Sequence, residues 1–235
     1  MTQVQIDESF WELFPEGQVN VLVLHDINNT GLDSDKYQAI LEDAEEQAKQ
    51  YLTADVFSEN AVVQSWRESY QAFKKKKGAR ASIEALLKRV SQGKGVGTIN
   101  PLVDLYNSVS MRFAVPVGGE DLSAIEGDLH LGMAQGGEAF YPLGDDQNEP
   151  ALPGEIIYSD AAGAVCRCLN WRDGKRTMLT ETTTDAIMFM EATNALQKEN
   201  LDTAMDSLQR VIARELGVEG TIYHLTAADP TITNI

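Results

Sequence analysis

Cysteine is nearly missing from this 235-residue chain. Two residues, Cys166 and Cys168, are too few for a disulfide framework and point to a reducing cytoplasm. Histidine is equally sparse. His25, His130 and His224 are scattered without a partner spacing. HExxH, a nucleophile elbow and the Rossmann glycine fingerprint are all missing, so zinc-protease, serine-hydrolase and dinucleotide-binding chemistry find no support. Long apolar runs are missing too: the longest stretch without Asp, Glu, Lys or Arg is nine residues, against the roughly 20 a membrane helix needs. The start, MTQVQIDESF, has neither the basic region nor the apolar stretch of a signal peptide. These shortages predict a cytoplasmic protein without a membrane partner. Positive charge is the last shortage: 19 Lys and Arg face 36 Asp and Glu, a net charge of −17. An overall field of that sign repels nucleic acid.

The charge is unevenly placed. Between Arg67 and Lys94 lie nine basic residues and only two acids, Glu68 and Glu84, which makes that segment +7 and the remainder −24. A lysine-rich helix end is ordinarily a solvated face. The alternative is a local dock for a polyanion, carried by Lys74, Lys75, Lys76, Lys77, Arg80, Lys88 and Arg89.

Apolar content of 43% and charged content of 23% are globular values, and the length allows one or two domains. Val19 to Leu24 reads as a strand. Asp33 or Ser34 caps a helix with Tyr37, Leu41, Ala44 and Ala48 on its inner stripe. A second helix opens at Ser58, carries Val62, Trp66, Tyr70 and Phe73, and is expected to end in the four-lysine run before Gly78. A third carries Ile83, Leu87 and Val90 and leads into the glycine-rich link SQGKGVGTIN, which lacks the GK[ST] of a phosphate loop. Asn100 and Pro101 then start a helix cleanly. Beyond it the pattern turns to short strands: DLHLGMA, EAFYPL, GEIIYSD, AVCRCLNW, KRTML and AIMFMEA. An amphipathic helix from Leu201 to Leu216, stopped by Gly217, and a last strand, TIYHLT, close the chain. The fold class is α+β. Residues 1–95 form a strand and basic helical region packed on a core unit of residues 96–235.

Chemistry concentrates in one stretch, NPLVDLYNSVSMRFAVPVGGED, residues 100–121. Two glycines after a rigid proline let backbone amides approach a ligand with no Cβ in the way. Amides so presented hold a carboxylate, an ester carbonyl or a developing oxyanion; a tight helix-to-strand connection is the plain alternative. Cys166 and Cys168, two apart on an expected strand, turn their thiols to one side and read as buried small residues, so no metal is expected.

The run VDLYN, followed nine residues after its Asn by Pro116 and then by Gly118 and Asp121, resembles the signature of the editing (B3/B4) domain of the phenylalanyl-tRNA synthetase β subunit. There the motif is Val-Asp-x-x-Asn, then Pro-Leu-His-Ala-Phe-Asp at the same offset. GEAFYPLG, GEIIYSD, CRCLNWRDG and TTTDAIMFME follow the order of that domain's later strands, so the resemblance covers residues 95–195. The forms NPLVDLYN, PVGGED and CR-x-x-NWR are most similar to free-standing proteins built from this domain alone. The resemblance implies a β-sandwich-like sheet core with peripheral helices and, in the synthetase, hydrolysis of tyrosine misattached to phenylalanine tRNA. It implies pocket positions at Asn107 and Pro116, with Gly118 standing where the synthetase has its histidine and Tyr106 where it has threonine. Glu191 falls within one residue of the carboxylate that reads the tyrosine hydroxyl. Asn170, Trp171 and Arg172 take the place of small wall residues.

Three functions are thereby expected. The first is a hydrolase of mischarged aminoacyl-tRNA acting in trans, without a cofactor. Asn107, Gly118 and Gly119 hold water and the ester, and Tyr106, Pro116, Glu120, Asn170, Trp171, Arg172 and Glu191 hold the amino acid. The basic segment holds the tRNA acceptor end. The second is a non-catalytic module binding tRNA or an amino acid. The third reuses the pocket for a small carboxylate, which Arg172 suits.

Overall fold

The computed structural model describes residues 2–31 and 33–235. The elements in chain order are β1 (Val4–Ile6), α1 (Glu8–Leu13), β2 (Gln18–Leu24), α2 (Ser34–Ala48), α3 (Ala61–Ser69), α4 (Ser82–Ser91), α5 (Pro101–Phe113) and β3 (Gly118–Asp121). There follow β4 (Leu129–Met133), β5 (Ile156–Asp160), β6 (Gly163–Arg167), β7 (Arg172–Asp173), β8 (Ala186–Ala192), α6 (Ala195–Lys198), α7 (Leu201–Leu216), β9 (Thr221–Leu225) and β10 (Thr231–Ile232). The class is α+β.

Two sheets carry the fold. One has the order β10-β1-β4-β5-β6-β7, the other β3-β8-β2-β9. Their facing sides share one core. Val4, Ile6, Leu131 and Tyr158 from the first sheet meet Val19, Val21, Ile187 and Phe189 from the second, and the Tyr158 and Phe189 rings lie 4.7 Å apart. The β-sandwich-like arrangement expected from the resemblance is therefore present. The second sheet is also covered on its outer side. Leu22, Leu24, Met188 and Met190 pack there with Leu105, Val109, Leu208 and Ile212 of α5 and α7. A sheet buried on both faces needs apolar residues in both registers, which is why VNVLVL and AIMFMEA read as nearly unbroken apolar runs.

Several local signals act as expected. Asp33 caps α2 by accepting from the Lys36 N–H at 3.2 Å, and Asn100 caps α5 by accepting from Val103 at 3.1 Å. Gly217, at φ 71°, ends α7.

Other expectations need correction. The second helix is α3; its cap position is Asn60, not Ser58, and it stops at Ser69, well short of the lysine run. Phe73 is drawn into the aromatic core against Tyr70 (5.2 Å) and Phe14 (6.5 Å). The lysines still serve the helix end, because Lys75 Nζ reaches back to the Tyr70 carbonyl at 2.5 Å. EAFYPL and KRTML are not strands; they contribute only isolated bridges, Pro142 with Gly174 and Met178 with Glu120. Strand β6 ends at Arg167, and Cys168 and Leu169 both take left-handed conformations at φ 50° and 65°. The two thiols therefore do not share a strand face.

Candidate functional site

The chain leaves α5 through Ala114 in the left-handed region (φ 54°). The turn is fixed by the Ser110 hydroxyl donating to the Val115 carbonyl at 2.6 Å. The buried Pro116 lies in this turn and directs the chain into β3, an edge strand that pairs with β8 through Gly118–Phe189 and Gly119–Met188. Strand alternation decides what each residue presents. Leu122 donates its N–H to Asp185, on the β8 side, whereas Asp121 donates outward to Thr177. Gly119, two residues before Asp121, therefore turns its N–H to the same outer edge. A Cβ added to Gly118 meets nothing within 4 Å, but one on Gly119 lands 2.6 Å from Met188 Sδ. Gly118 thus faces open space, and Gly119 allows close packing against the helix-side core.

That open space is a cavity of about 360 Å³. Tyr106 and Asn107 of α5 enter it from one side and Gly118, Gly119 and Glu120 of β3 from another. The turn after β6 supplies Asn170 and Trp171, β7 supplies Arg172 and Asp173, and β8 supplies Glu191. Helix α4 closes it with Ser82, Leu86 and Arg89. Nine of the ten residues expected around the substrate meet here. The tenth, Pro116, stays out of the lining, because its ring packs in the buried turn that aims the glycines.

The wall is held by hydrogen bonds. Glu191 accepts from the Tyr158 hydroxyl (2.6 Å) and from Asn170 Nδ2 (3.0 Å). Asn170 Oδ1 accepts from the Tyr70 hydroxyl (3.1 Å) and the Ser82 N–H (3.3 Å). Tyr70 also donates to the Cys168 carbonyl at 2.7 Å, pinning the left-handed turn. Nearby, Arg167 forms a buried two-bond pair with Glu155 (2.8 and 2.6 Å) and donates to the Glu149 carbonyl (2.7 Å). Arg167, the first arginine of the CR-x-x-NWR run, is thus a framework residue.

Electrostatics inside the cavity are acidic. Burial, then the charge of Asp173, pushes the Glu120 carboxyl well above the usual carboxylate range. Burial also raises Asp173 and Glu191, the latter despite its hydrogen bonds to Tyr158 and Asn170. Glu120 is 3% exposed, and its Oε2 has no hydrogen-bond partner. Cys166 faces the same space; burial and then Asp173, Glu120 and Glu191 raise its pKa strongly, so it remains a thiol at neutral pH and a poor nucleophile. Cys168 lies off the cavity, its thiol pushed up to about 12 chiefly by burial. The histidines are elsewhere: His25 on Asp185, His130 on Asp7 and His224 on Asn20.

The basic segment divides. Arg89 lines the cavity and is held by the Gly95 and Lys94 carbonyls (2.9 and 3.3 Å). Lys75 and Arg80 line a second hollow of about 350 Å³ beside Trp66 and the Arg67–Glu84 pair. Lys76 is paired with Glu149. Lys74, Lys77 and Lys88 are exposed.

A family model described as the B3/4 domain matches residues 65–228. The chain belongs to the B3/4 domain family. This B3/4 protein is 33% identical over 106 residues to the phenylalanine–tRNA ligase β subunit of Mycoplasma genitalium, a match spanning 45% of this chain and 13% of that relative. Its fold is similar to an N-terminal fragment of the phenylalanyl-tRNA synthetase β subunit from Pyrococcus horikoshii. That likeness has a TM-score of 0.50 and 13% identity, and covers 93% of this chain and 49% of the fragment. Among the described residues no helix is long and apolar enough to cross a membrane.

Sequence reasoning missed Asp173, Tyr158 and Cys166 as cavity residues. Asp173 directly follows the quoted NWR run, and Tyr158 sits in the quoted GEIIYSD, but only the pairing of Tyr158 with Cys166 across β5 and β6 brings them to the site. Register between distant strands has no local signature.

Proposed function

We propose that this B3/4 protein binds the charged 3′ end of a tRNA and hydrolyses a misattached aminoacyl ester in trans, in the cytoplasm. The observation that carries the reading is the convergence of Asn107, Gly118, Gly119, Asn170, Trp171, Arg172 and Glu191 on one cavity, in a chain related to a tRNA synthetase subunit. An aminoacyl ester is already activated, so positioning and electrostatic stabilisation suffice without a strong nucleophile. The outward Gly119 N–H receives the carbonyl oxygen as charge develops on it, and Asn107 orients the attacking water. Water adds to the ester carbon, the bond to the ribose oxygen breaks, and that oxygen takes the proton. The exposed Lys74 and Lys77, together with Arg80 of the second hollow, meet backbone phosphates.

The test offers the purified protein a panel of mischarged tRNAs and follows release of the amino acid. Hydrolysis above the spontaneous rate for at least one of them, reduced about 10²-fold by Asn107→Ala, supports the reading. No hydrolysis of any tRNA overturns it.

A second reading, a binding module without turnover, is favoured by one observation: no histidine lines the cavity, and its thiol stays protonated. Salt-sensitive tRNA binding with no amino acid released selects it. The third expectation, a small carboxylate ligand, is opposed by the three carboxyls that share the cavity with Arg172.

A further inference from the structure

We infer that Glu120, together with Asp173, forms a subsite for a primary ammonium group, so that the cavity takes acyl groups bearing a free amine. This rests on the aminoacyl reading above and narrows it.

The argument begins with strand geometry. Glu120 lies two residues from Gly118 on β3, and so projects from the same face into the same open space. It is 3% exposed, and its Oε2 has no partner at hydrogen-bond distance; the Thr177 hydroxyl beside it, which favours the charged form, is unpartnered as well. A buried carboxylate oxygen without a partner is costly unless something outside the fold supplies the donor. Asp173 enters the cavity from β7 on the opposite sheet and exerts the largest charge effect on Glu120.

The protein's own cations are committed elsewhere. Arg176 donates to the Ala124 carbonyl and to Asp160, both at 2.7 Å. Arg172 lies 5.9 Å from the Trp171 ring centroid and reaches the Leu143 carbonyl at 3.5 Å. Arg89, which also lines the cavity, is turned to the Gly95 and Lys94 carbonyls. Among the described residues none of these guanidinium groups pairs with Glu120 or Asp173, and two carboxyls without an ion-pair partner suit a positive ligand. A metal ion asks for several converging ligands, and among the described residues no group of three or more His, Cys, Asp or Glu has that arrangement. An ammonium, with three rotatable donors, needs only two carboxylates and one further acceptor. Leu86, Val117 and Phe189 leave apolar room beside it for the rest of the acyl group.

The test is calorimetry at pH 7 with the full chain and amide-linked, non-hydrolysable 3′-alanyl and 3′-tyrosyl aminoadenosines, their N-acetyl derivatives, benzylamine and manganese. The expected result is at least tenfold tighter binding of a free-amine probe than of its N-acetyl derivative, with the preference falling below threefold in Glu120→Gln. That variant is also expected to melt higher than the parent when empty, because it removes an unpartnered buried acid; Asp173→Asn serves if it does not fold. Equal binding of the amine and N-acetyl probes overturns the subsite while leaving the aminoacyl pocket standing. Benzylamine binding that Glu120→Gln abolishes, with no aminoadenosine bound, supports the subsite and defeats the aminoacyl reading. Manganese binding lost in Glu120→Gln, or no binding of any probe, overturns the inference.

Discussion

The adjacent glycines of β3 respond in opposite ways to one substitution. At both, φ lies outside the left-handed region, so alanine meets no backbone strain. At Gly118 the new Cβ has nothing within 4 Å. Alanine there gains only its strand preference over glycine, about 0.5–1 kcal/mol, and on a scale of about 2–4 °C per kcal/mol the Tm rises by about 1–4 °C. At Gly119 the same gain is opposed by a Cβ lying 2.6 Å from Met188 Sδ, 2.7 Å from its Cε and 3.0 Å from Leu179 Cδ1. Overpacking of this kind costs about 1–3 kcal/mol. The end of Met188 is flexible but fully buried, so the lower half of that range applies. The net loss is about 1 kcal/mol, a Tm fall of about 2–4 °C. Thermal unfolding of the two alanine variants reads the difference directly. Adding Gly118→Leu separates function from stability: it folds, fills the cavity and loses ester hydrolysis or tRNA-end binding. If Gly118→Ala destabilises as much as Gly119→Ala, or Gly118→Leu leaves ligand handling unchanged, the placement of β3 against the cavity is wrong.

Further outcomes follow from the same geometry. Asp104 is fully buried, with Oδ1 on the Ile99 N–H at 2.8 Å and Oδ2 unpartnered, and burial raises its pKa from 3.8 to about 6. The folded state therefore holds this proton more tightly than the unfolded state. Its contribution, on the order of 2–3 kcal/mol, is complete below about pH 4 and lost as pH rises through 6; melting curves from pH 4 to 8 should show the decline flattened in Asp104→Asn. Removing one partner of the buried Arg167–Glu155 pair, as in Glu155→Ala, costs about 3–5 kcal/mol by urea titration, and the double change Arg167→Met with Glu155→Leu regains most of it. Replacing the exposed Lys74 and Lys77 by Ala should lower the slope of log binding against log salt by about 1–2. Lys76→Ala, whose ammonium is already paired with Glu149, should change the slope less.

What was legible in the sequence shares a physical character: it is written within a few residues. The Asn100–Pro101 start of α5, the Gly217 stop and the doubly buried runs of β2 and β8 all follow from local capping and periodicity. The misread parts depend on distant partners. Just past the end of α3, Phe73 packs against Phe14, 59 positions away in the chain. β1 is three residues long and exists because β4 and β10 flank it. The Cys168–Leu169 turn is held by the Tyr70 hydroxyl and by the Ile156 carbonyl, which accepts from the Leu169 N–H at 2.6 Å. The site was legible as a family pattern around Asn107, Gly118 and the Asn170–Arg172 corner. Its acidity was not, since Asp173 joins Glu120 only through the pairing of β7 with β6.

The central claim is tested most directly by determining the structure with an amide-linked aminoacyl adenosine bound. The account predicts the acyl group inside the cavity, between the outer edge of β3 and the Asn170–Trp171–Arg172 corner, with its carbonyl oxygen toward the Gly119 N–H. The same compound seated on another face, with this cavity empty, contradicts it.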